Sequence, residues 1–219
     1  MGSRTQRQIW LIQTRFNIIE CHTKTRTNII LDQDILIALG SNEHSEAGPP
    51  AETLRAALHA LEEVEGLSVR RTSRFYQTPA FPLGSGPDYI NSAAALDCRL
   101  SPHDLLAQLH RVESTLGRTR KNRWAARTID LDLLACGTTV FPDKVTWRKW
   151  YNLAEVEQPK AVPSELVLPH PRLQDRGFVL VPLAEIAPDW RHPVLGKSVA
   201  EMLASLSAGA RAGITLFDP

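Results

Sequence analysis

The sequence has little of what usually fixes a function class at once. Its three cysteines, Cys21, Cys98 and Cys136, are far apart, odd in number and free of any CxxC pair. They indicate neither a disulfide framework nor a zinc site, and they fit a reducing compartment, so a cytoplasmic location is expected. No apolar run is long enough to span a bilayer. The formal net charge is +1, which gives no global pull toward nucleic acid or membrane. Six Phe and three Tyr leave few aromatics for an RNA-binding sheet, which wants exposed strand aromatics and a broadly basic face. Familiar phosphate cradles are missing too. Leu195-Gly196-Lys197-Ser198 contains GKS, but the first glycine of a P-loop would fall at Arg191. Gly84-Ser85-Gly86 opens a GxGxxG whose last glycine would be Tyr89. A nucleotide site here must be built from side chains and metal.

What is present is a chain of 219 residues, 43% of them hydrophobic, enough for one core. Residues 1–33 lack caps and a sustained apolar face, and read as a leader, tag or read-through segment. DILIAL, 34–39, is a short apolar strand ending at the turn signal Gly40-Ser41-Asn42. A helix over 51–65 carries Leu54, Leu58 and Leu61 on one face and stops at Gly66. Residues 67–77 are extended, 78–87 form a loop, and 88–97 return as a strand with Tyr89 and Asn91 on one face. Ser101 as N-cap, Pro102 at N1 and Asp104 at N3 open a second helix. Its stripe is Leu105, Leu109, Val112 and Leu116, and Gly117 ends it. A strand follows at 128–135. Residues 141–163 read as an irregular insertion, VLVPLAEIA and SVAEMLASL as closing helices, and 208–219 as a tail. The order β-α-β-β-α-β predicts an α+β, ferredoxin-like split βαβ core, with helices on a mostly antiparallel sheet spanning 34–207. A doubly wound sheet is the runner-up.

The chemistry concentrates in residues 118–132. Period-2 geometry puts Thr128, Asp130 and Asp132 on one strand face and Ile129, Leu131 and Leu133 on the core side. Two carboxylates about 7 Å apart in a dry site need partners. The partners are either nearby arginines, as a structural ion network, or a divalent metal such as Mg²⁺, which takes one or two carboxylates with water and substrate phosphates. Arg118, Arg120, Lys121, Arg123 and Arg127 lie within ten residues with no acid among them. A cluster of cations alone is a solvated loop. Beside two carboxylates it suits phosphoryl transfer, where metal ions and arginines share the phosphate charge. Trp124 stands in this run, either capping the site or packed on its own arginines.

RWAARTIDLDLL, 123–134, resembles the signature of the 6-hydroxymethyl-7,8-dihydropterin pyrophosphokinase family. ALGSN at 38–42, FYQTPAF at 75–81, DYINSAA at 88–94 and LPHPRLQDRGF at 168–178 follow in family order and spacing. The resemblance implies transfer of pyrophosphate from ATP to the pterin hydroxymethyl group, with two Mg²⁺ and release of AMP. It implies that Asp130 and Asp132 hold both metals, that Arg118, Arg127, His170 and Arg176 meet the triphosphate, and that Arg120, Arg123 and Trp124 lie in a loop closing over ATP. It sets Glu113 and the Leu133 backbone near the adenosine. It assigns Thr78, Pro79 and Asn91 to the pterin edge, and Tyr89 and Phe178 to the faces of its ring. Catalytic roles are expected at Arg118, Arg127, Asp130 and Asp132. The expected partners are these two small molecules, with no nucleic acid and no membrane, and the chain acting as a monomer.

The sequence departs from that pattern in places. Pro171 follows the loop histidine where many members carry Tyr. Residues 141–163 are longer than expected and contain Trp147, Trp150 and Tyr151. Two other readings remain open at this point: an inactive homologue that keeps the fold, and a phosphate- or RNA-binding module on a ferredoxin-like sheet.

Overall fold

A computed structural model describes residues 34–80, 86–118, 127–154, 157 and 161–218. The expectations for residues 1–33 and for Arg120, Arg123 and Trp124 lie outside the described residues.

The strands are β1 (Ile35–Ser41), β2 (Leu67–Thr72), β3 (Tyr76–Thr78), β4 (Tyr89–Cys98), β5 (Asp130–Cys136) and β6 (Thr215–Leu216). They form one sheet in the order β5-β1-β4-β3-β6, with β2 also on β4. Every strand pairing among the described residues is antiparallel. Taking β2 and β3 as successive stretches beside β4, the order is the ferredoxin-like one expected from β-α-β-β-α-β, and the doubly wound alternative falls.

Helices cover both faces. On one lie α1 (Pro50–Glu62) and α2 (Pro102–Thr115). Their Leu54, Ala57, Leu61, Leu105 and Leu109 are fully buried against Ile37, Leu39, Leu96 and Leu131. Ser101 caps α2 as expected, accepting from the Asp104 N–H at 3.2 Å. On the other face lie α4 (Gly177–Ile186) and α5 (Val199–Ser205), whose Val179, Leu180, Leu183 and Val199 pack on Leu36, Ala38, Ala93 and Ala95. Small side chains on β1 and β4 let α4 sit close to the sheet.

Three expectations need correction. Gly40 and Ser41 are not a turn but the end of β1, paired with Asn91 and Ile90. The stretch read as irregular contains a helix, α3 (Lys144–Tyr151), capped by Asp143, which accepts from the Val145 and Thr146 N–H groups. Its eight residues show a single fully buried side chain, Trp147, so the apolar periodicity that reveals a helix is absent. Residues 208–218 are not a loose tail. They form α6 (Ala208–Arg211) and β6, which pairs Leu216 with Tyr76 and Thr215 with Gln77. Two residues are too few for a strand pattern in sequence.

Candidate active site

The site grows out of one end of the sheet. In β5, Asp130 and Asp132 face the α4 side, while Leu131 and Leu133 enter the core under α1 and α2, as the alternation requires. The alternation breaks further along. β1 and β5 shift register between Leu36 and Ile37, so that Leu134 and Ala135 both join the α4-side core. On β4, Asn91 shares the α4-side face. The register places Asn91, Gly40 and Asp130 in one row across β4, β1 and β5, and Ala93, Ala38 and Asp132 in the next.

Gly40 sits between an amide and a carboxylate. A β-carbon built on it would lie 2.7 Å from Asn91 Oδ1 and 3.8 Å from Tyr89 Cδ1. Its backbone is ordinary strand, so glycine is required for close approach rather than for conformation. Sequence reasoning missed this residue, although ALGSN contained it. It missed Asn42 as well. Asn42 Oδ1 accepts from the Arg127 N–H at 2.7 Å, its own N–H donates to the Arg127 carbonyl at 3.1 Å, and its Nδ2 donates to the Pro87 carbonyl at 3.1 Å. This side chain ties the start of the Arg127–Asp132 segment to the loop before β4. Ser41 Oγ adds a 2.6 Å bond to the Thr128 carbonyl.

The acidic end is answered by arginines. Arg118 contacts Asp130 Oδ1 at 2.6 Å and also pairs with Glu113. Arg127 pairs with Asp130 Oδ2, and Arg176 lies 3.5 Å from Asp132. Burial, and then the neighbouring Asp132 charge, push the Asp130 carboxyl above the usual range even though two guanidiniums oppose the rise. Glu113 is 1% exposed and accepts the Leu131 N–H at 2.8 Å, so it links α2 to β5 and holds Arg118. The Leu133 side chain is buried, and its backbone lies in β5 paired with Ile37.

His170 comes from the loop before α4. Its N–H donates to the Leu134 carbonyl at 2.7 Å, and its Nδ1 accepts the Arg172 N–H at 3.1 Å. The neutral ring therefore carries its proton on Nε2, as a hydrogen-bond donor. Burial, reinforced by Arg176, lowers its pKa to about 3, so the ring is neutral at physiological pH.

On the other flank, Asn91 Nδ2 donates to Thr78 Oγ1 at 2.7 Å, and both residues are buried. Tyr89 is half-buried, Pro79 is partly exposed, and Phe178 at the start of α4 is exposed with the Arg176 guanidinium 5.7 Å from its ring centroid. Glu185 fixes α4 to β3, accepting from Tyr76 Oη at 2.6 Å and Arg74 Nε at 2.7 Å. The structure thus brings two carboxylates, three arginines, a neutral histidine and an amide to one end of one sheet face.

Fold and site together define an α+β domain whose sheet end carries paired carboxylates answered by arginines, the side-chain set used in phosphoryl transfer. Residues 36–188 match the profile of the 7,8-dihydro-6-hydroxymethylpterin-pyrophosphokinase family, and the chain belongs to that family. It is 37% identical over 175 residues to the 2-amino-4-hydroxy-6-hydroxymethyldihydropteridine pyrophosphokinase of Synechocystis sp., covering 80% of this chain and 77% of the relative. With the enzyme of the same name from Methylorubrum extorquens it shares 38% identity over 170 residues, 78% of this chain and 91% of that one. The fold is similar to that of Plasmodium falciparum HPPK-DHPS, with a TM-score of 0.55 at 15% identity over 78% of this chain and 43% of the other. Among the described residues no helix is long and apolar enough to cross a membrane.

Proposed function

We propose that this chain transfers pyrophosphate from ATP to 6-hydroxymethyl-7,8-dihydropterin in folate biosynthesis. The pterin hydroxymethyl oxygen attacks the β-phosphorus and loses its proton. The bond from that phosphorus to the oxygen bridging the α-phosphate breaks, and AMP leaves with that oxygen. One observation supports the reading: Asn91, Gly40 and Asp130 stand in one row across three strands, so that the amide we assign to the pterin edge and a carboxylate we assign to the metal share one sheet face.

Asp130 and Asp132 are the residues that would hold two Mg²⁺. They fit, because two carboxylates on one strand face are the donor set that Mg²⁺ takes together with water and substrate phosphates. Among the described residues no cluster of three or more His, Cys, Asp or Glu could hold a metal, which argues against an all-protein cage. Burial, and then the Asp132 charge, raise the Asp130 pKa, a penalty on the carboxylate that a bound cation would offset. When bound, the metal neutralises phosphate oxygens and favours attack at phosphorus.

In the free chain, Arg118 and Arg127 rest on Asp130 and Arg176 on Asp132. With Mg²⁺ and ATP bound, Asp130 and Asp132 would hold the metal, and Arg118, Arg127 and Arg176 would face the triphosphate. His170 donates from Nε2 to a phosphate oxygen without adding a charge. Glu113 positions Arg118, and Glu113 with the Leu133 backbone borders the adenosine. The family resemblance would bring Arg120, Arg123 and Trp124, which lie outside the described residues, to ATP. Thr78, Pro79 and Asn91 read the pterin edge, while Tyr89 and Phe178 offer ring faces. We infer that the chain acts as a monomer, and that it works in a cytoplasmic setting, for which its scattered cysteines speak.

The test mixes protein, ATP, Mg²⁺ and the reduced pterin and identifies the nucleotide product. AMP with a diphosphorylated pterin is expected. ADP with a monophosphorylated pterin would overturn the reading.

A further inference from the structure

Helix α3 lies in the stretch that is longer than the family resemblance leads one to expect, yet it is tied to the loop carrying His170 and Arg176. Trp147 is fully buried, and its Nε1–H donates to the Pro169 carbonyl at 2.7 Å. Its ring stacks on Tyr151, with centroids 5.1 Å apart, and meets His192 edge-on at 4.9 Å. Phe141 and Leu168 exchange backbone hydrogen bonds at 2.9 Å, joining the two ends of the excursion.

Arg172 makes the tightest link. Its guanidinium donates to the carbonyls of Tyr151 at 3.0 Å, Trp150 at 2.9 Å and Leu153 at 3.0 Å. Carbonyls at a helix C-terminus lack intrahelical partners and attract cations. One side chain therefore supplies the C-terminal cap of α3, while the N–H of the same residue holds His170 Nδ1. From Arg172 the chain runs through a 3-10 turn, Leu173–Asp175, directly into Arg176, the residue beside Asp132.

We propose that α3 is a brace for the 168–176 loop and that Arg172 is a positioning residue coupling the helix to His170 and Arg176. Together they preorganise the phosphate-facing side of the site and leave the heterocycle side untouched. This rests on the function proposed above for His170 and Arg176. The brace keeps a loop punctuated by Pro169 and Pro171 in one arrangement, so that binding the triphosphate does not have to order it.

Two full-length variants test this. Arg172→Ala removes the cap at the loop end. Asp143→Ala removes the N-cap at the far end of α3, where the Asp143 side chain bonds the Val145 and Thr146 N–H groups and the Thr146 hydroxyl. Affinity is measured for a non-hydrolysable ATP analogue with Mg²⁺, and for the reduced pterin with that analogue saturating. Hydrogen exchange is followed in 168–176 and in β1 and β4. A brace predicts ATP-analogue affinity down about tenfold for Arg172→Ala, since small misplacement of a positioned group is costly. Asp143→Ala should shift it in the same direction by about threefold, a typical loss for a missing cap. Pterin affinity should hold, and exchange should rise in 168–176 but not in β1 or β4. Arg172→Lys, keeping a cation at the carbonyls, should recover part of the loss. Unchanged ATP-analogue affinity in both alanine variants would overturn the proposal. So would equal losses for both ligands with faster exchange in β1 and β4, which would make α3 a support for the whole fold. If the wild type makes no AMP, the functional reading fails, and the exchange pattern in 168–176 decides the brace by itself.

Discussion

Gly40→Ala adds one methyl group at the point where the two halves of the site meet. The added carbon would lie 2.7 Å from Asn91 Oδ1, several tenths of an ångström inside ordinary contact. Asn91 cannot turn aside freely, because its Nδ2 is bonded to Thr78 Oγ1 at 2.7 Å in a buried setting. Relief requires an off-rotamer Asn91, costing about 0.5–1.5 kcal/mol. Otherwise the Thr78 bond is lost, at about 0.5–1.5 kcal/mol net. Against this, replacing glycine within a strand recovers about 0.5–1 kcal/mol of backbone entropy. Net stability should therefore fall by only about 1 kcal/mol or less. Function should suffer more, because the amide assigned to the pterin edge is displaced. A lost or misdirected hydrogen bond to a ligand costs about 1.4–2.8 kcal/mol, or 10- to 100-fold in pterin affinity. The assay is titration of the reduced pterin in the presence of a saturating ATP analogue with Mg²⁺, alongside thermal unfolding. A double-mutant cycle sharpens it: in an Asn91→Ala background, Gly40→Ala should cost no further pterin affinity, because the clash partner is gone. Pterin affinity within twofold of wild type for Gly40→Ala alone, or a full second loss in the double variant, would refute the reasoning.

Asp132→Ala should cut AMP formation by several orders of magnitude, as loss of a metal ligand does. Thermal unfolding should move little, because the partly exposed Arg176–Asp132 pair at 3.5 Å is worth at most about 1 kcal/mol; AMP release at the wild-type rate would contradict the metal assignment. Arg127→Ala should lower kcat more than it weakens ATP-analogue binding, if its contact tightens in the transition state, and single-turnover kinetics compared with equilibrium titration would show the opposite order if its role is ground-state binding. Acid sensitivity should come in part from His192, which is fully buried with its pKa lowered by burial to about 4. The folded chain holds this ring neutral, whereas the unfolded chain takes up a proton near pH 6.5, so stability falls as pH drops from about 6.5 toward 4, by about 3 kcal/mol in all. His170, lowered to about 3, acts in the same direction. His192→Asn keeps an oxygen acceptor for the Val194 and Leu195 N–H groups and should flatten the urea-unfolding free energy between pH 6.5 and 5 by up to about 1.4 kcal/mol per pH unit; an unchanged slope would show that this ring does not titrate on unfolding.

Local chemistry along the chain sets the order of elements and the faces of the long ones. Ser101, Pro102 and Asp104 mark the start of α2 through local chemistry, and alternation puts Asp130 and Asp132 opposite Leu131 and Leu133 without reference to the rest of the chain. Tyr89 and Asn91 were legible for the same reason. What lies across from these residues depends on how distant segments pack. Gly40 reads as a turn residue until β4 and β5 pair on either side of it and bring Asn91 within 2.7 Å of its missing side chain. Asn42 and Arg127 are 85 residues apart, and no local pattern announces the bond between them. Helix α3 is held by a buried tryptophan and by an arginine from another loop, not by an apolar stripe, and β6 exists because β3 offers it an edge. Period and capping are properties of neighbouring residues, so a sequence displays them. Register, close approach and capping from a distance arise only when segments far apart in the chain share the same space.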